Sequence, residues 1–168
     1  MSGLFGTKKR LQKNSPLYEA LGTLDELNSL LGVCRARASS KKNGKSNLSR
    51  EILNAQQCLF IVQAELAGAD KTISPARLKE TEQTIDTLEG LIQNPHAFVI
   101  PGATELEGLL DYARAVSRRA ERAVLHAHEI RATSPETRAY LNRLSSLLYA
   151  LARYAATIAD MQEESPSY

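Results

Sequence analysis

Apolar side chains recur every third or fourth residue along almost the whole chain, interrupted only by short polar or proline-bearing connectors. That periodicity constrains the fold more than any other feature. A helix with one apolar stripe must bury it against other helices, so a succession of them closes into a bundle. The first helix is expected over 16–38, with Leu24, Leu27, Leu31 and Cys34 on its buried stripe. The second covers 48–69, with Ile52, Ala55, Leu59, Val62 and Leu66 inward. The third runs over 75–93 through Leu78, Thr81, Ile85 and Leu88. The fourth spans 104–128, burying Leu106, Leu109, Ala113, Val116, Ala120 and Val124, and the fifth runs over 134–164.

The boundaries have local causes. Ser15-Pro16, Ser74-Pro75 and Ser134-Pro135 each offer a hydroxyl cap followed by a proline, whose missing N–H costs nothing in the first helical turn. Thr104 followed three residues later by Glu107 matches a capping box. The linker SSKKNGKSN from Ser39 to Asn47 is polar and glycine-broken, and Asn94-Pro95 stops the third helix. Between Pro95 and Pro101 lies a short extended apolar link that contains Phe98. The expectation is an all-α, single-domain, five-helix up-and-down bundle over 16–164, preceded by an N-terminal arm over 1–15.

Composition narrows the function classes. Leu and Ala dominate, Trp is absent, and aromatics make up 5% of the 168 residues, which suits helix packing better than a β-sandwich. With 21 basic and 19 acidic residues the net charge is +2, too small for a global attraction to nucleic acid. Cys34 and Cys58 both fall in apolar helical patterns and read as reduced core thiols. No apolar run approaches the roughly 20 residues of a bilayer span, and Lys8, Lys9 and Arg10 follow the N-terminus without a secretory apolar region. A cytoplasmic protein without a membrane partner is expected.

Three helices carry polar seams that bundle packing does not require. On the fourth, Arg114, Arg118 and Glu121 sit at about 0°, 40° and −20° on a wheel of 100° per residue, flanked by Asp111 and Arg122. On the fifth, Asn142, Ser146, Tyr149 and Arg153 align, and on the first, Asp25, Asn28, Gly32 and Arg35. Periodicity leaves two readings open. These are either solvated faces laced by helix-spaced ion pairs, or the lining of a groove or subunit interface where arginines grip phosphate. The arm adds Gly3, Gly6, Lys8, Lys9, Arg10 and Lys13, amides and cations suited to a polyphosphate. His96, His126 and His128 lack zinc-site spacing, so no protein-held metal is expected. Glu-x-x-His, nucleophile-elbow and P-loop motifs do not occur.

Taken in order, Gly3-Leu4-Phe5-Gly6, Lys13-Asn14-Ser15-Pro16 and the stretch from Glu19 to Ser29 (EALGTLDELNS) resemble the N-terminal third of the PduO-type ATP:cob(I)alamin adenosyltransferases. Phe98-Val99-Ile100-Pro101-Gly102, RAVSRRAER from Arg114 and YLNRLSS from Tyr140 resemble that family's later signatures, so the similarity covers nearly the whole chain. The resemblance implies a homotrimer of five-helix bundles that binds ATP, with Mg2+, and a corrinoid at each subunit interface. It implies that Gly3, Phe5, Gly6 and Lys13 hold the triphosphate, and that Arg118, Glu121 and Asn142 contact ATP. Asp25 pairs with Arg114 across the interface, and Phe98 presses on the lower face of the corrin and excludes its axial ligand. A reductase or a cobalamin-dependent enzyme is a further partner it implies.

The implied activity is transfer of the 5′-deoxyadenosyl group from ATP to the cobalt of cob(I)alamin. The chain departs from the family pattern in three places. The Thr-Gly-Asp-x-Gly-x-Thr stretch that precedes Gly-Leu-Phe-Gly has no counterpart before Gly3, Ser146 replaces an aspartate, and Asp111 replaces a histidine. A catalytically weakened paralogue, binding a corrinoid or nucleotide as a noncatalytic trimer, is therefore the alternative reading.

Overall fold

The computed structural model describes residues 14–39, 48–92 and 98–167. They form α1 (Pro16–Ser39), α2 (Leu48–Ala67), α3 (Pro75–Glu89), α4 (Glu105–Ala127) and α5 (Pro135–Ile158). The all-α five-helix bundle expected from the periodicity is the observed architecture. Gly3, Phe5, Gly6 and Lys13 of the arm, the centre of the 39–47 linker, and Asn94, Pro95 and His96 lie outside the described residues.

The serine caps work as the sequence implies. Ser74 and Ser134 stand in extended backbone conformation and accept the amides of Arg77 and Thr137. A second layer supports α5. The buried carboxylate of Glu65 on α2 accepts the Ser134 amide at 2.5 Å and the Thr137 hydroxyl at 2.5 Å, placing negative charge at the positive end of the helix.

Helix ends differ more from expectation. α2 stops two residues early because Gly68 takes φ +93° and completes a Schellman turn, with Gly68 N–H bonding to the Glu65 carbonyl and Ala69 N–H to the Ala64 carbonyl. A side chain there would also strike the Arg131 guanidinium, since a Cβ would lie 2.1 Å from its Nη1. α3 ends at Glu89, capped by Gly90, instead of reaching 93. The largest correction concerns α5, expected to 164 but ending at Ile158. Asp160 adopts φ 53°, Met161 N–H returns to the Ala156 carbonyl, and the chain runs on in extended form. Aspartate tolerates this left-handed conformation better than most residues, but nothing in the local pattern demanded it.

α4 packs most extensively against α5 and α1; α1 also packs on α2, and α5 carries α3 and touches α2. α5 is therefore the hub and buries Leu141, Leu144, Leu148, Leu151 and Ala152 completely or nearly so. On α4, Leu110 is the fully buried leucine, while the expected Leu109 lies at the edge of the core. Cys34 and Cys58 are free and buried, and burial pushes the Cys34 thiol up to about 11, leaving it protonated and unreactive at neutral pH. Among the described residues no helix is long and apolar enough to cross a membrane.

Because Leu144 sits fully buried on the hub helix, Leu144→Ala should lower the unfolding free energy by about 2–5 kcal/mol in urea titration. A loss below about 1 kcal/mol would place that side chain outside the packed centre.

Candidate active site

The site is organised by a charged residue where a bundle should be apolar. Arg153 interrupts the run Leu147–Ala156 on α5 and has no exposed surface. A lone buried guanidinium is prohibitive, so carboxylates must meet it. Two come from successive turns of α4: Arg153 Nη2 pairs with Glu107 and lies 3.2 Å from Asp111 Oδ2. A third, Glu163, comes from the extended C-terminal segment, with Oε1 2.9 Å from Arg153 Nε. The Tyr149 ring lies over the guanidinium, 5.2 Å from its carbon to the ring centroid.

This cluster supports a cleft. Phe98, Val99, Pro101, Asp111, Arg114, Tyr149 and Arg153 line a recess of about 460 Å³ between the link before α4 and the facing sides of α4 and α5. Phe98 is 83% exposed at its rim. A large aromatic side chain left in solvent beside a polar-floored recess is suited to contact a flat, apolar ligand face. The link is tied down at two points: Ile100 N–H donates to the Glu164 carbonyl at 2.8 Å, and Gly102 N–H donates to Glu107 Oε2 at 2.6 Å. Gly102 takes φ +121°, which only glycine adopts readily.

The Thr104–Glu107 capping box is therefore only half formed. The Glu107 amide donates to Thr104 Oγ1 at 3.1 Å as expected, but the Glu107 side chain reaches past Thr104 to Gly102 and to Arg153.

The polar seams separate in the fold. Arg114, Arg118 and Glu121 share a face of α4, and Asn142 Nδ2 of α5 donates to Glu121 Oε1 at 3.0 Å, so α4 and α5 contribute to one polar surface. Arg118 and Asn142 are exposed, and Arg114 is half-buried. Within the chain Arg114 Nε meets Asp111 Oδ1 at 2.5 Å, whereas Asp25 stands exposed on α1. The α1 seam is partly interior: Asn28 is buried, and its backbone carbonyl accepts from the Gln56 side chain of α2 at 3.1 Å.

Sequence reasoning placed Arg153 on an accessible seam and gave Glu107 only a capping role. A charged residue inside an apolar run was the available signal, because such a residue is almost never fully buried unless paired. Its partners, 42 and 46 residues away on another helix, leave no local trace. Three carboxylates surround Arg153 and Arg114, one negative charge in excess. Loss of hydration, reinforced by Glu107 and Asp111 and opposed by Arg153, holds the Glu163 carboxyl above the ordinary glutamate range.

The family model described as cobalamin adenosyltransferase matches residues 1–155. The chain is 38% identical to the corrinoid adenosyltransferase PduO of Salmonella typhimurium over 88% of its own length, but spans only 44% of that protein. It is 35% identical to a corrinoid adenosyltransferase of Citrobacter freundii, covering 95% of this chain and 92% of that one. Among solved structures, a variant of the PduO-type ATP:corrinoid adenosyltransferase of Lactobacillus reuteri, complexed with cobalamin and ATP, superposes with a TM-score of 0.84. It has 30% identity, with 96% of this chain and 91% of that chain covered.

The raised Glu163 pKa fixes the sign of a titration. The fold favours its protonated form, so the corresponding stability is fully present below the ordinary glutamate pKa of 4.5 and is lost as the pH rises through the raised value. Glu163→Gln should therefore leave the melting temperature at pH 7 unchanged or higher. A clear fall at that pH would mean that attraction to Arg153 outweighs the loss of hydration.

Proposed function

The chain belongs to the cobalamin adenosyltransferase family, and from that premise we propose that it transfers the 5′-deoxyadenosyl group of ATP to the cobalt of a reduced corrinoid. The observation that carries this reading is the pairing of two unlike surfaces on α4 and α5. A recess of about 460 Å³ rimmed by exposed Phe98 adjoins a polar face of Arg114, Arg118, Glu121 and Asn142. The first suits a flat macrocycle and the second a nucleotide.

In the proposed reaction the Co(I) electron pair attacks ribose C5′. A cobalt–carbon bond forms, the C5′–oxygen bond breaks, and its electron pair leaves on triphosphate. The nucleophile arrives with the substrate, so no side chain need remove a proton. What remains for the protein is alignment of the reacting atoms and stabilisation of the leaving charge. Arg118 offers a planar fork of donors to phosphate, and Lys13 with Gly3, Phe5 and Gly6 completes the proposed triphosphate cradle. Glu121 and Asn142 orient the nucleoside. Phe98 excludes a lower axial ligand from cobalt, which favours the reduced, nucleophilic state.

Mg2+ accompanies ATP in this reading. Such a cation is held chiefly by phosphate oxygens and water.

The proposed assembly is a homotrimer with its sites between subunits. Exposure of Asp25, Arg118 and Asn142 in the single chain fits a surface completed by a neighbour. Pairing of Asp25 with Arg114 across that interface would compete with Asp111, which already holds Arg114 within the chain. A reductase that supplies cob(I)alamin, or an enzyme that accepts the product, is the proposed further partner.

Mixing the chain with ATP, Mg2+ and chemically reduced cobalamin should form adenosylcobalamin, read from the corrin absorption spectrum. Bound corrinoid with no adenosyl transfer at saturating ATP would instead support a noncatalytic carrier. Arg118→Ala and Asn142→Ala should each raise the ATP dissociation constant about tenfold or more, the loss expected for a charged or well-placed hydrogen bond. Their unfolding free energies should stay within about 0.5 kcal/mol of the parent chain because both side chains are exposed. Solution mass should report three subunits; a fully active monomer would rule out the shared site.

A further inference from the structure

Phe98 is 83% exposed, so packing does not hold it. Its position is set by the backbone of 98–102, whose described attachments are the Ile100 amide to the Glu164 carbonyl and the Gly102 amide to Glu107 Oε2. Both attachments lead to one place. Glu107 is fully buried and pairs with Arg153, and Arg153 touches Glu163, the residue before Glu164. We infer that Glu107 and Arg153 are positioning residues: together with the C-terminal segment they form a clamp that sets where Phe98 stands over the recess.

The inference rests on the proposed corrinoid-binding role of Phe98. Of the residues assigned to the nucleotide, Arg118, Glu121 and Asn142 share none of the clamp's contacts, and Arg114 is held by Asp111, which neither substitution below removes. Loosening the clamp should therefore affect the corrinoid and leave the nucleotide untouched. Capping alone does not explain Glu107, because Thr104 already satisfies the helix start with its own hydroxyl. Nor does core packing, because an apolar residue of similar size would fill the same space without needing a buried partner.

The test uses the full chain and two substitutions that release different ends of the clamp. Glu107→Gln removes the charge that joins Arg153 to the link, while Asp111 remains to balance the guanidinium. Ile100→Pro deletes the N–H that bonds to Glu164, at a half-exposed position outside the buried cluster, and serves if Glu107→Gln does not fold. Hydrogen exchange of the 98–102 amides remaining in each variant should quicken about tenfold, the change expected when a hydrogen bond to a charged or extended partner is lost. The KM for corrinoid should rise by a similar factor while the KM for ATP holds, and bound cob(II)alamin should regain the spectrum of a species with a lower axial ligand.

Unchanged exchange and corrinoid KM in folded variants overturn the clamp, as does an equal rise in both KM values, which marks a purely structural role. If the parent chain forms no adenosylcobalamin, the functional reading fails; the amide exchange then still decides whether the clamp exists.

Discussion

A guanidinium without exposed surface can persist in a helical core only where carboxylates meet it, and Arg153 imposes that requirement on everything around it. Loss of hydration costs several kcal/mol per ion, and only close pairing offsets it. Glu107 and Asp111 supply the pairing from adjacent turns of α4, so the two helices that share the largest contact must keep one register. A slide of one turn would keep at most one of these pairings and leave the other carboxylate buried and unpaired, at a cost of about 3–5 kcal/mol. The same guanidinium draws in Glu163, bringing the extended segment after α5 against the link before α4.

That arrangement explains how an exposed phenylalanine can be held in a defined place. Flexible links on bundle surfaces usually move, and a mobile aromatic ring would be a poor surface for a flat ligand. Here backbone hydrogen bonds at Ile100 and Gly102 restrain the link, and its side chains stay free to face a partner molecule. For the proposed adenosyl transfer such restraint matters more than acid–base chemistry, since the substrate carries its own nucleophile. The described part of the site contains arginines, carboxylates that meet them, an amide and an aromatic rim.

The two departures at Asp111 and Ser146 can be weighed separately. Asp111 is nearly buried between Arg114 and Arg153, where its charge is neutralised from both sides. It acts as a structural counterion and reduces the freedom of Arg114 to bond elsewhere. Ser146 is half-buried on α5, and nothing in the structure explains the substitution there.

Much of the bundle is legible in the sequence. Stripes such as Leu24, Leu27, Leu31 and Cys34 can face only inward, and Ser-Pro pairs start helices for reasons contained within four residues, so existence and starting points followed from local chemistry. The motif blocks likewise named the family, because they are contiguous stretches of sequence. Helix ends were less legible: the stop at Ile158 depends on a left-handed aspartate that many sequences would not choose. What only the tertiary structure decided are relations between distant residues. They include the packing of α3 on α5, the reach of Glu107 to Gly102 and Arg153, and the burial of an arginine that its own helix presents like any surface charge. Periodicity records which residues share a face, whereas whether that face meets water, a carboxylate or another subunit depends on elements that sequence neighbours do not contain.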